Sequence, residues 1–106
     1  MGRLSVNLCG EELDNPVIPA SGTFGYGKEY ADVVDVRRLG AIVVKGIRLE
    51  AWPGNATPRM VEVPGGLVNA IGLQGPGVAG FVAEYLPFLR TTGVPVVVNI
   101  WGTTVE

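Results

Sequence analysis

Two short apolar runs, Ala41-Ile-Val-Val and Val94-Pro-Val-Val-Val-Asn-Ile, constrain this chain more than any other feature. A strand wetted on one face alternates apolar and polar residues. A strand that does not alternate is covered on both faces, the habit of parallel strands packed beneath helices. Between the runs, Val78, Phe81, Val82, Tyr85, Leu86 and Leu89 recur at the spacing of one helix face. The pattern predicts an α/β fold of parallel strands joined by helical crossovers.

The rest of the chain can be placed around that frame. Residues 4–8 and 11–13 alternate around Cys9-Gly10, which predicts a small antiparallel hairpin over 4–13. Pro16-Val-Ile-Pro-Ala reads as a first parallel strand ending in Ser21-Gly22, so the barrel-like units occupy 16–106. A glycine-studded loop over 22–27 then leads to a predicted helix over 28–39, with Gly40 as its C-cap. The second strand runs into Lys45-Gly46. An excursion over 48–73 should hold strands at 59–63 and 67–70, joined by a turn at Pro64-Gly-Gly. Pro87 should kink or fray the last turn of the amphipathic helix, and Gly93 should end it. The strand at 94–100 should be buried, and Thr103 or Thr104 before Val105-Glu106 reads as the N-cap of a further helix.

Both a (β/α)8 barrel and an open doubly wound sheet begin with such units. A barrel needs about 250 residues, so on that reading the chain supplies roughly the first three units and the remainder of the barrel is missing.

Composition narrows the classes. With 16 Gly and 8 Pro in 106 residues the chain could be mistaken for a disordered segment, but it is 47% hydrophobic and 17% charged. That is the reverse of the disorder signature, and its mean hydropathy is +0.34. Residues 51–106 carry only Arg59, Glu62, Glu84, Arg90 and Glu106 as charges, so this half should be covered by other structure. A net charge of −2 offers no basic face for nucleic acid or anionic lipid. A single cysteine excludes an intrachain disulfide, and the lack of histidine excludes His-based metal or nucleophile chemistry within this segment. No apolar run reaches the length of about 18 residues needed to span a membrane, and the start lacks a signal-peptide core, so the expected location is cytoplasmic.

In α/β folds ligands gather at the carboxyl ends of the parallel strands. The exits here are Ala20-Ser21-Gly22, Lys45-Gly46 and Asn99, with Asn69 to Leu73 between the second and third units. Ser21-Gly22 offers a hydroxyl and a bare backbone, or simply a turn. Lys45 either snorkels to water or meets an anion. Asn69 and Asn99 are ligand contacts or turn residues. The loops over 22–27 and 72–77 share a GxxGxG spacing that is neither the dinucleotide fingerprint nor a P-loop. Asp32, Asp35, Arg37 and Arg38 read as a solvated helix face, and Cys9 as a thiol without catalytic part.

Four motifs in register carry a resemblance: Asn15-Pro-Val-Ile-Pro-Ala-Ser-Gly-Thr-Phe-Gly, Val43-Val-Lys-Gly-Ile, Asn69-Ala-Ile-Gly-Leu-Gln and Val98-Asn-Ile-Trp-Gly. In order and spacing they resemble the N-terminal part of the dihydroorotate dehydrogenase family, nearest the catalytic subunit of its NAD-linked two-subunit subclass. The resemblance implies an FMN-binding TIM (β/α)8 barrel with an N-terminal hairpin beneath it. It implies flavin contacts at Ala20, Ser21, Gly22, Lys45, Gly46 and Asn99. It implies pyrimidine contacts at Lys45, Asn69, Ala70, Ile71, Gly72 and Leu73.

The implied reaction oxidises (S)-dihydroorotate to orotate in pyrimidine synthesis. Electrons pass from FMN through a partner subunit carrying FAD and a [2Fe–2S] cluster to NAD+, and catalytic subunits pair as homodimers. The proton-abstracting cysteine of that subclass is expected beyond Glu106, so Lys45 assists and no base lies within the segment, which is expected to be inactive alone. One departure is Gly75, where the family usually has asparagine, and it bears on the shape of the loop near the substrate. Two other readings remain open at this stage. One is another FMN barrel, such as the pyrimidine-reducing domain of dihydropyrimidine dehydrogenase, and the other a non-catalytic partial barrel that folds only by self-association or with a partner.

Overall fold

The computed structural model describes residues 2–105. Its first element is the expected antiparallel hairpin, β1 (Val6–Leu8) with β2 (Glu11–Leu13). Cys9 and Gly10 turn it with φ of 53° and 96°, and the Asn7 side-chain oxygen accepts from the Gly10 amide at 3.0 Å. Leu8, Cys9 and Leu13 border a cleft shared with Ala41, Val96 and Val97, which sets the hairpin at the amino ends of the central strands.

Residues 16–20 form no strand, contrary to expectation. Pro16 and Pro19 lack the N–H that a ladder requires. What holds this segment instead is a clasp. The Asn15 side chain donates to the Arg38 carbonyl at 3.0 Å and accepts from the Val17 amide, while the Gly40 amide donates to the Val17 carbonyl at 2.9 Å.

The segment expected as a loop over 22–27 begins as a short helix, α1 (Ser21–Phe24), whose first free amides at Thr23 and Phe24 donate to the Ala20 carbonyl. The helix expected over 28–39 is absent. Two single 3-10 turns, Lys28–Tyr30 and Val36–Arg38, stand in its place. Asp35 accounts for part of the break, because its carboxylate accepts from the Arg37 amide and pairs with the Arg37 guanidinium at 2.9 Å. Such side-chain bonds compete with helix, and the adjacent β-branched Val33 and Val34 weaken it further. Gly40 is therefore no helix cap. A Cβ there would lie 1.8 Å from the Asn15 carbonyl oxygen, so the position is glycine because another backbone occupies the space.

The centre is β3 (Ile42–Ile47). The excursion then folds as predicted into an antiparallel ribbon, β4 (Met60–Val63) with β5 (Gly66–Asn69), turned at Pro64-Gly65. The amphipathic segment is two helices, α2 (Gly77–Glu84) and α3 (Leu86–Thr92), divided at Tyr85. Pro87 does not fray an ending helix; it lies in the first turn of a new one, where its missing donor costs nothing. Gly93 closes α3 in the left-handed conformation at φ 69°, as expected.

The last strand, β6 (Val96–Ile100), runs parallel to β3, pairing Ile42 with Val96 and Val44 with Val98 before a register shift near Ile47. Two parallel strands therefore form where three were expected. Ile42 and Val44 are wholly buried in a core with Phe24, Tyr26, Val36, Ile47, Phe81 and Leu89. The expectation of a buried third strand fails, since Val97 and Val98 are half-exposed and Ile100 is 79% exposed. Among the described residues β6 pairs with β3 alone. The residues around Thr103 form a bend rather than a helix, and Glu106, part of that predicted start, lies outside the described residues. The architecture is mixed α/β, consistent with the N-terminal part of a barrel. No described helix is long and apolar enough to cross a membrane.

Replacing Gly40 with Ala should lower stability by about 2–3 kcal/mol, the scale of overpacking against a fixed backbone. Urea denaturation of the two forms measures it, and an unchanged midpoint would show that the Asn15 clasp yields freely.

Candidate functional site

The carboxyl end of β3 carries the two residues singled out by their exit position, Lys45 and Gly46. The backbone fixes both: the Lys45 amide donates to the Gly25 carbonyl at 3.0 Å, which ties β3 to the end of α1. Lys45 lines a cleft of about 560 Å³ together with Tyr26, Trp52, Gln74, Gly75 and Tyr85. Gly46 is turned toward β6, where a Cβ would stand 3.1 Å from the Trp101 ring and 3.9 Å from the Asn99 side-chain nitrogen. The fold thus brings Gly46 and Asn99 together from positions far apart in sequence.

Tyr26 is the unexpected member of the cleft. It is 5% exposed, and its ring stacks on Tyr85 at 4.2 Å between centroids. Its hydroxyl is buried with no partner among the described residues. Burial, then the neighbouring Tyr85 and Glu29, push its pKa up to about 12, so it stays a protonated donor. Glu29 is held close by accepting from the Tyr26 amide at 3.1 Å. An orphaned buried donor is costly to the fold and fits a ligand acceptor.

Ala20, Ser21 and Gly22 sit at the start of α1, with no heavy atom within 4 Å of a Cβ built on Gly22. The backbone there is open to a close-lying flat group. Asn69 ends β5 opposite Met60 and lines a separate depression with Pro58, Met60 and Val68, so the structure does not bring it into the cleft of Lys45. Gln74 and Gly75, a few residues on, do reach that cleft.

The loop from Ala70 to Gly75 is built by residues that the sequence did not single out. Asn55 donates to the Ala70 carbonyl at 2.8 Å, and its amide donates to the Ile71 carbonyl. The Trp52 indole donates to the Gly72 carbonyl at 3.0 Å, and Trp52 and Gly75 exchange two backbone bonds of 2.9 Å. Arg59 donates to the Pro53 and Asn55 carbonyls and to the Gln74 side-chain oxygen. With these carbonyls engaged, Gly72 and Leu73 take left-handed conformations at φ 80° and 60°. Among the described residues, the amides of Ile71, Gly72 and Leu73 donate to no protein acceptor. Successive free amides around left-handed residues make an anion-binding concavity.

Gly75 needs no special conformation. A Cβ there would make ordinary 3.5 Å contacts with the Gly46 carbonyl and the Tyr26 hydroxyl, so the bridge to Trp52 fixes the loop whatever residue stands at 75. The one available signal for Arg59 was its position as one of only two cations in an apolar half; Tyr26, Trp52 and Asn55 carried none. Cys9 is an exposed thiol in the hairpin, and the described residues hold no cluster able to bind a metal.

A parallel strand pair with polar, glycine-lined exits has the α/β layout in which ligands gather at the carboxyl ends of the strands. The family profile described as dihydroorotate dehydrogenase matches residues 3–106, and the chain belongs to that family. It is 56% identical over 108 residues to the protein of Geotalea uraniireducens named dihydroorotate dehydrogenase B (NAD(+)), catalytic subunit, covering 100% of this chain and 35% of the relative. It is 52% identical to proteins of the same name from Alkaliphilus metalliredigens and Geobacter sulfurreducens, covering 98% and 97% of this chain and 34% of each relative. The chain therefore spans about a third of the length of these curated relatives.

Two outcomes follow for the cleft and its loop. The Tyr26 pKa lies above its unfolded value, so stability is fully present below about pH 10 and declines as pH rises toward about 12. Tyr26→Phe should remove most of that alkaline decline, leaving the share of Tyr85, whose pKa burial also raises, and, by removing an orphan hydroxyl, stabilise by about 1 kcal/mol near neutrality. Denaturation at several pH values tests both, and an undiminished decline in the variant would move the titration elsewhere. Arg59→Ala should cost about 1–3 kcal/mol, the value of charge-assisted bonds, and speed proteolysis within 70–75. Cleavage there at the parental rate would show that Arg59 does not order the loop.

Proposed function

We propose that this chain forms the N-terminal part of the barrel of a dihydroorotate dehydrogenase catalytic subunit that oxidises (S)-dihydroorotate to orotate in pyrimidine synthesis. The observation that carries the reading is the convergence of Lys45, Gly46 and Asn99 at the carboxyl ends of a parallel strand pair, within a chain 56% identical to a subunit of that name. Ala20, Ser21, Gly22, Lys45, Gly46 and Asn99 would hold FMN. The fit is supported by the open backbone at Gly22 and the orphaned Tyr26 donor near Lys45. When bound, FMN supplies a two-electron acceptor for hydride.

The chain's own residues would do the rest by binding and charge placement. The Lys45 ammonium offers a fixed positive charge where negative charge grows during oxidation, and such preorganised charges need no rearrangement as the reaction proceeds. The free amides of Ile71, Gly72 and Leu73 suit a carboxylate, while the Asn69 amide can both donate and accept, as the mixed edge of a pyrimidine requires. Asn69 would have to turn toward the cleft to take that part. The chain carries no histidine, and its exposed Cys9 lies in the hairpin, so no residue here is assigned as the base that removes the substrate proton. The same proposal includes a cytoplasmic location, pairing of catalytic subunits, and a partner subunit that carries FAD and a [2Fe–2S] cluster and delivers electrons to NAD+.

A chimera joining residues 3–106 to the remaining two thirds of the Geotalea uraniireducens subunit tests the reading. It should bind FMN and be bleached by dihydroorotate under anaerobic conditions. Lys45→Ala in that chimera should slow bleaching by about 100-fold or more, the usual loss on removing one such electrostatic group. An unchanged rate would remove Lys45 from the mechanism.

A further inference from the structure

Arg48 follows directly on β3, and its guanidinium lies over two indoles, 5.0 Å from the Trp52 ring centroid and 5.2 Å from that of Trp101. Both distances are within cation–π range. Trp52 is itself fixed by its bonds to Gly72 and Gly75, and Trp101 by its amide bond to the Ile47 carbonyl at 3.0 Å. Arg48 therefore rests against two rings that are themselves tied to the backbone around them.

Its donors are unspent. Among the described residues it makes no ion pair and no hydrogen bond to protein. The other arginines differ in one respect or the other. Arg37 is committed to Asp35, and Arg59 to Pro53, Asn55 and Gln74. Arg3, Arg38 and Arg90 are exposed and unheld. Arg48 alone is both immobilised and free to donate. The rings accept no conventional hydrogen bond from it, so its N–H groups remain available, and a guanidinium edge matches the two oxygens of a carboxylate or phosphate.

The edge borders a cleft of about 460 Å³ that Glu50, Trp101 and Thr103 also line. Among the described residues Glu50 is the only acid lining it, and it is not paired with Arg48.

We infer that Arg48, held against Trp52 and Trp101, is a binding site for an oxyanion, a carboxylate or a phosphate ester, at the carboxyl ends of β3 and β6. The site is separate from the cleft of Lys45, and its existence does not depend on the reaction proposed above. The indole contacts remove most of the rotamer freedom that an arginine ordinarily loses on binding, so the cost of immobilisation is met in advance.

Trp52 and Trp101 are the chain's only tryptophans and both touch Arg48, so tryptophan emission senses this site, and the R48Q arm separates it from the cleft of Lys45 that Trp52 also lines. The full chain is titrated with inorganic phosphate and, separately, with succinate, each against sodium chloride at matched ionic strength. A saturable change in emission with either, absent with chloride, is expected; phosphate alone identifies a phosphate ester as the ligand class, and succinate alone a carboxylate. R48Q should abolish the response. R48K keeps the charge against the rings but not the planar fork, and should bind about tenfold more weakly. E50Q removes a like charge from the cleft and should tighten binding several-fold. Should R48Q fail to fold, as judged by circular dichroism, R48K and E50Q still decide the matter. No saturable change with either anion, an undiminished response in folded R48Q, or unaltered affinity in both R48K and E50Q would overturn the site.

Discussion

The burial of one face of β3 is the constraint on which the rest of this chain depends. Ile42, Val44 and Ile47 are sealed against Phe24, Tyr26, Phe81 and Leu89, and that contact fixes where the strand lies. Each fully buried aliphatic side chain contributes about 1.5–3 kcal/mol, so three on one strand outweigh the short, irregular segments around it. Alternation along the strand then leaves little choice for the residues that follow. Lys45 and Gly46 reach the strand exit because Ile42 and Val44 are anchored, and β6 brings Asn99 beside them because its register is set by pairing with the same strand.

A second layer depends on that first one. The loop from Ala70 to Gly75 has almost no apolar packing of its own and is organised by polar bonds from Trp52, Asn55 and Arg59. Trp52 joins the two layers: it bridges to Gly75 on one side and faces Arg48, the residue after β3, on the other. Cleft, loop and strand exit are thus parts of one connected arrangement, although they lie in separate stretches of sequence.

What the sequence made legible follows from this division. The hairpin, the ribbon over 60–69 and the strands β3 and β6 were readable because two-residue periodicity, unbroken apolar runs and glycine turns are local signals. The exit residues Lys45, Gly46 and Asn99 were readable because the position of a strand end is a local fact with a general meaning. The helix expected over 28–39 was misread because Asp35 and the Val33-Val34 pair oppose a pattern that composition alone favours. The strand expected at 16–20 failed because its two prolines remove the donors a ladder needs. Gly40 looked like a helix cap, yet the reason for it lies at Asn15, which no local pattern could reveal. Tyr26, Trp52, Asn55 and Arg59 shape the site through contacts across the fold, and such contacts leave no mark on spacing. The burial of β6 was overestimated because an apolar run records the cover a strand requires, while β6 here has β3 as its single described partner.

The clasp at Asn15 also bears on the order in which the chain can assemble. It joins residues only 23 apart, whereas the pairing of β3 with β6 has to wait for the whole excursion and both later helices. Closing a shorter loop costs less chain entropy, so the clasp and α1 can settle against β3 while β6 is still being synthesised. The amino-terminal half then serves as a template of defined shape, and the strand that carries Asn99 arrives after it, at an edge of β3 already in place.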